Sequence, residues 1–185
     1  VKRACYQGDV GLHVAKAIWG KMHDLQKTWQ ESYVEGSSAY QLNEVAKKEI
    51  KELNKKIFQR SDIEVNALYD EGKKWSLEYL EKIYRQLGTT FDYYFLESQV
   101  AESGKKIVED GLLKSIFEQG EKGAIIFKGE KFGLHTRVFV NSEGLPTYEA
   151  KDLALPELKY KKYAYDTSVI ITANEQNEYF KVMLC

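Results

Sequence analysis

The sequence predicts an α/β chain that carries a large helical region and a β-hairpin, and three stretches are responsible. Arg137-Val138-Phe139-Val140 reads as a strand, Asn141 to Gly144 as a turn, and Pro146-Thr147 as a helix opening with the threonine hydroxyl in the N-cap position. Asp166 to Thr172 is a second apolar run, read as a short buried parallel strand over 167–172, and it passes into the polar residues Asn174-Glu175-Gln176. Between Gly36 and Leu87 apolar residues recur at helical spacing among many charges, which predicts a long helical region.

Composition narrows the classes. The 185 residues hold 27 Lys and Arg against 28 Asp and Glu, for a formal charge of -1, so any RNA contact must come from a local patch rather than from a basic molecule as a whole. With 13 Tyr, 8 Phe and 3 Trp the chain has the aromatic content of a packed protein rather than a disordered one. Two cysteines, Cys5 and Cys185, make neither a disulfide framework nor a zinc cluster, and a cytoplasmic location is expected. No apolar run approaches the ~20 residues of a membrane span. The opening Val1 and an amphipathic pattern running to Cys185 lead us to expect a fragment of a longer protein.

In chain order, the turn Gly8-Asp9-Val10-Gly11 precedes helical spacing over Leu12 to Trp19, and Asp9 either caps that helix or holds an ammonium group. A tight turn with no ligand is the alternative. Ser37 and Ser38 are expected to cap a helix that breaks near Gln59 to Asp62, and a second helix follows with Gly88 as its stop. The six basic and three acidic side chains from Glu44 to Arg60 read as a solvated face. Phe91 to Ser98 is expected to be a buried strand and Val100 to Ile116 a helix weakened by Gly104 and Gly111. Gly123 to Lys128 and Thr136 to Val140 then form a hairpin around residues 129–134. His135 and Arg137 are assigned structural roles. The three histidines have neither metal-ligand spacing nor a partner for nucleophilic catalysis.

Tyr148 and Asp152 lie four residues apart, so on a helix they share a face, a pairing suited to a planar cation. A packed aromatic beside a solvated charge fits the same spacing. Taken together, Gly144-Leu145-Pro146-Thr147-Tyr148-Glu149-Ala150-Lys151-Asp152, the fourteen-residue step to Asp166, and Asn174-Glu175-Gln176 resemble the catalytic domain of arginyl-tRNA synthetases. The resemblance implies a Rossmann-like class I domain, with residues 1–185 a partial catalytic domain, 36–116 a mainly helical insertion within it, and 124–185 a strand-helix-strand-helix portion carrying the amino acid site; the helices between Gly36 and Leu87 are expected to project away from the 167–172 strand as a largely separate lobe. It also implies that Tyr148, Asp152 and Gln176 hold arginine, and that Gly8, Asp9 and Gly11 form a candidate active-site turn. Cys5 and Val10 stand where the family carries Asn and Trp. The implied parent enzyme joins arginine to tRNA(Arg) in translation at the expense of ATP, with Mg2+, and involves no DNA, membrane or resident metal. Neither a His-x-Gly-His turn nor a Lys-Met-Ser-Lys-Ser loop occurs in the 185 residues, so the catalytic residues are unknown and the chain alone is expected to be inactive. The competing reading is a stand-alone α/β module that binds arginine or associates with RNA without catalysis.

Overall fold

Strand β1 (Ala4–Gln7) pairs in parallel with β2 (Tyr93–Leu96) in a computed structural model that describes residues 1–185. A parallel pair needs a long crossover. Here it consists of α1 (Leu12–His23), α2 (Trp29–Leu42), α3 (Glu44–Gln59) and α4 (Ile63–Gln86). The chain divides into two compact units, Val1–Ser98 and Gln99–Cys185.

In the first unit Ala15 and Ile18 of α1 are buried with Ile50, Leu53 and Ile57 of α3 and Val65 and Tyr69 of α4. The helices between Gly36 and Leu87 thus share one core with α1, in a different compact unit from residues 167–172. The apolar stripe of α3 needs a cover, and α1 supplies it. α1 and α2 meet backbone to backbone: a Cβ on Gly20 would lie 2.1 Å from the Ser32 carbonyl oxygen, and one on Gly36 would lie 2.0 Å from that of Lys16. The helix starts also differ from expectation, since Ser37 and Ser38 fall inside α2. Thr28 and Glu31 close a capping box, Asn43 caps α3 through the amides of Val45 and Ala46, and Asp62 caps α4 through those of Glu64 and Val65. The expected break falls at Arg60, in the left-handed region at φ 51°, and α4 ends at Gln86, with Leu87 as its C-cap and Gly88 at φ 66°.

The second unit takes up most of α5 (Glu97–Leu113), so residues 36–116 are not a unit of their own. Its sheet is antiparallel, in the order β3 (Glu118–Gln119), β4 (Ile125–Phe127), β5 (Arg137–Val140), and the expected hairpin is its β4–β5 half. α6 (Tyr148–Lys162) and α7 (Asn177–Met183) complete it. Val108, Phe117, Ile125, Phe139, Val140, Ala150 and Val182 form its core. Gly104, which in sequence only weakens a helix, is where α5 meets α6: a Cβ there would fall 2.2 Å from the Ala150 carbonyl oxygen.

One expectation fails here. Residues 167–172 form no strand, and Val169, Ile170 and Ile171 are 77%, 59% and 94% exposed. A strand exists only where a neighbour pairs its backbone, and the sheet of this unit is made entirely from residues 118–140. The portion 124–185 is thus two strands, a helix, a stretch without regular structure and a short helix, with 3-10 turns at Gly129–Phe132 and Asn174–Gln176.

Candidate functional site

The strand-to-helix step at 137–152 is held by local bonds. The Asn141 side chain accepts from the amides of Glu143 (2.9 Å) and Leu145 (3.0 Å), and Gly144 turns the chain at φ 75°. Thr147 is the N-cap residue of α6, as expected, yet its hydroxyl caps nothing. It donates back to the carbonyl oxygens of Val138 (2.8 Å) and Phe139 (3.0 Å), pinning the start of the helix to β5.

That anchoring gathers five side chains at the first turn of α6. Tyr148 is 42% exposed and Asp152 is half-buried, and Tyr179, reaching over from α7, touches both. The Tyr148 and Tyr179 rings meet edge-on with centroids 5.0 Å apart, and the Tyr179 hydroxyl donates to Asp152 Oδ2. Arg137 Nη1 donates to the Tyr148 hydroxyl at 3.0 Å and lies 3.5 Å from Glu149 Oε1. Its guanidinium carbon is 5.5 Å from the Tyr179 ring centre, within cation–π range, and its Nε is buried without a hydrogen-bond partner.

Burial, and then the bond to Asp152, push the Tyr179 hydroxyl far above its ordinary pKa. It therefore stays a proton donor. Burial and then Glu149 raise Tyr148 as well. Four residues beyond Asp152 stands Pro156, which has no N–H to return to the Asp152 carbonyl.

The sequence-predicted pair is therefore on one helix face, joined through a third side chain, Tyr179. Gln176 ends a 3-10 turn (Asn174–Gln176) at the N-cap of α7, three residues before Tyr179; it is half-buried and not at a strand tip. Sequence reasoning missed Tyr179 and Glu149, and it assigned Arg137 to structure alone. The one available signal was that Tyr179 follows Gln176 by three residues, hence one turn on in a helix.

The glycine turn of the first unit has another character. Asp9, 8% exposed, does not cap α1, whose N-cap is Gly11 at φ 126° with no side-chain bond. It accepts from the Ser98 amide (2.8 Å), the Ser98 hydroxyl (2.6 Å) and the Tyr69 hydroxyl (3.0 Å), and Lys73 Nζ lies 2.6 Å away. The ammonium it holds belongs to this chain. Burial alone would raise the Asp9 pKa, but the bonds from Lys73 and Ser98 outweigh it and the carboxyl titrates below its ordinary value. Gly8, beside it, offers its carbonyl oxygen to His13 Nε2 at 3.4 Å. Val10 is packed in the core, and Cys5 Sγ lies 3.5 Å from the Tyr84 hydroxyl. No three His, Cys, Asp or Glu side chains are grouped to hold a metal ion, and no helix is long and apolar enough to cross a membrane.

No family model matches the chain. Curated relatives do. It is similar to the arginine–tRNA ligase of Borrelia garinii subsp. bavariensis, 29% identical over 192 aligned positions that cover 94% of this chain and 33% of that protein. It is also similar to that of Parabacteroides distasonis, 30% identical over 126 positions covering 68% and 21%. The chain thus spans between a fifth and a third of the length of these relatives. Among solved structures it shares the fold of part of the Plasmodium falciparum arginyl-tRNA synthetase, with a TM-score of 0.69 at 20% identity, covering 99% of this chain and 32% of that one.

Proposed function

We propose that this chain, a relative of the arginine–tRNA ligases over nearly its whole length, supplies the amino-acid-binding part of an enzyme that activates arginine with ATP for transfer to tRNA(Arg). The observation that carries the proposal is the Tyr148–Tyr179–Asp152 arrangement at the start of α6. A guanidinium is planar, permanently charged and armed with five donors in a fork that one carboxylate accepts two at a time. Asp152 is the carboxylate for that fork. Because Tyr179 keeps its proton, it orients Asp152 without cancelling its charge. Tyr148 offers a ring to stack on the cation, and Gln176, one turn before Tyr179, takes the polar end of the amino acid. Lysine presents a compact ammonium without the fork, so geometry as well as charge discriminates against it. The class I assignment, the nucleotide with its Mg2+, the tRNA and a cytoplasmic location belong to this reading of the whole enzyme. ATP chemistry also needs groups that neutralise phosphate charge, and neither signature motif for that occurs in these residues. The 185-residue chain by itself is accordingly expected to give no arginine-dependent ATP–pyrophosphate exchange.

Calorimetric titration of the chain with L-arginine and L-lysine tests the pocket. Arginine should bind at least about tenfold more tightly than lysine. Asp152→Asn, shown folded by circular dichroism, should lose about 2 to 4 kcal/mol of arginine binding. A folded Asp152→Asn chain with normal arginine affinity would remove Asp152 from the site.

A further inference from the structure

Arg137 opens β5 and Tyr148 opens α6, so the two side chains stand on either side of one strand-to-helix joint. The backbone of that joint is fixed. Arg137 pairs with Phe127 of β4, and the Thr147 hydroxyl returns to the carbonyls of Val138 and Phe139. Tyr148 is nonetheless an exposed residue, and its ring is held at two points only. One is the edge-on contact with Tyr179, at 5.0 Å between centroids, and the other is the hydroxyl at the far end of the ring. That hydroxyl accepts from Arg137 Nη1 at 3.0 Å and donates to the buried Glu149. A phenol has one proton to give, and both its donor and its acceptor capacity are thus engaged within the chain.

The pose does little for the hydrogen bonding of Arg137 itself. Its Nε is buried with no acceptor, and its Nη1 is a long 3.5 Å from Glu149. What the pose does secure is the tip of Tyr148. On the arginine reading of this site, from which the inference follows, we propose that Arg137 is a positioning residue: it fixes the Tyr148 hydroxyl, so that the ring face stays presented to the guanidinium of the ligand, and does not touch the ligand itself. The charge of Arg137 acts in the opposite direction. A cation in this place repels a cationic ligand, so its removal would by charge alone tighten arginine binding. Weaker binding after Arg137→Met therefore reports position and not charge.

Two measurements separate this inference from the reading it rests on. The first needs no ligand: NMR relaxation of the chain with carbon-13-labelled tyrosine rings reports how freely each ring moves, and the Tyr148 signal is identified by its loss in Tyr148→Phe. In Arg137→Met, shown folded by circular dichroism, the Tyr148 ring should become more mobile, while Tyr69, bonded to Asp9 in the other unit, stays as it was. An unchanged Tyr148 ring overturns the inference whether or not arginine binds. The second is a double-mutant cycle read by calorimetric titration with L-arginine. Arg137→Met and Tyr148→Phe should each weaken binding about three- to tenfold, and the double variant should be within about twofold of either, because both substitutions remove the same bond. Additive losses overturn the inference, and so does an Arg137→Met chain that binds arginine as tightly as the unsubstituted one or more tightly. An unsubstituted chain that binds no arginine, with the Tyr148 ring loosened in Arg137→Met, overturns the arginine reading and not the hold of Arg137 on Tyr148.

Discussion

Two aspartates, Asp9 in the first unit and Asp152 in the second, both read in sequence as candidates to hold a cationic group, and they meet different surroundings. Asp9 is buried, bonded to Ser98 and Tyr69, and matched by the Lys73 ammonium at 2.6 Å. Asp152 is half-buried and receives a phenol that keeps its proton. A buried carboxylate met by an ammonium from its own chain ties elements together, whereas the role proposed for Asp152 calls for a carboxylate oriented by a hydroxyl that keeps its own proton.

The comparison breaks most readily at Lys73. Lys73→Met leaves Asp9 buried without its counter-charge and should cost about 3 kcal/mol in urea unfolding. Asp152→Asn, whose amide oxygen still accepts from Tyr179, should cost less than about 1 kcal/mol in the same measurement. Equal losses would mean that both aspartates are structural. The pH dependence sharpens the point. Because the folded pKa of Asp9 is lowered, its contribution is complete above the ordinary carboxylate value of about 3.9 and is lost as pH falls through the lower folded value. The raised pKa of Lys73, where burial is outweighed by Asp9, has the opposite sign, so its contribution is full below its unfolded value of about 10.4 and fades as pH rises through the folded one. Unfolding midpoints measured from pH 2 to 7 should fall at the acid end, and Lys73→Met should flatten that limb.

A smaller effect is expected at Arg137. Replacing it with Met removes the cation beside Glu149, which is 5% exposed, and the donor to Tyr148, for about 1 to 2 kcal/mol of stability. Arg137→Lys should recover only part of this, because lysine lacks the planar guanidinium that lies 5.5 Å from the Tyr179 ring centre. The smallest change is Tyr148→Phe, below about 1 kcal/mol in unfolding, since the ring contact with Tyr179 survives. In arginine titrations it should cost less than Asp152→Asn. A loss as large as that of Asp152→Asn would make the hydroxyl, rather than the ring, the contact.

The elements that were legible in the sequence are those fixed by neighbours a few residues away. The helices of 44–86 with their break at Arg60, the hairpin at 125–140 and the Asn141 turn all follow from local spacing, turn chemistry and caps, and so does the position of Thr147 at the opening of α6, although its hydroxyl bonds to β5 instead of capping the helix. So does the shared face of Tyr148 and Asp152, because 3.6 residues per turn is a local rule. Even the capping box Thr28-x-x-Glu31 was present to be read. Everything that depends on a distant partner was decided by the tertiary structure. Residues 167–172 have the composition of a strand and no neighbour to pair with, and Ala4–Gln7 is a strand because residues 93–96 lie beside it. Asp9 could as well have been a cap or an ammonium holder until Lys73, sixty-four residues later, was placed against it. Tyr179 entered the site in the same way, from twenty-seven residues beyond Asp152. Periodicity specifies which way a side chain points along its own helix or strand; what meets it there depends on how the rest of the chain packs.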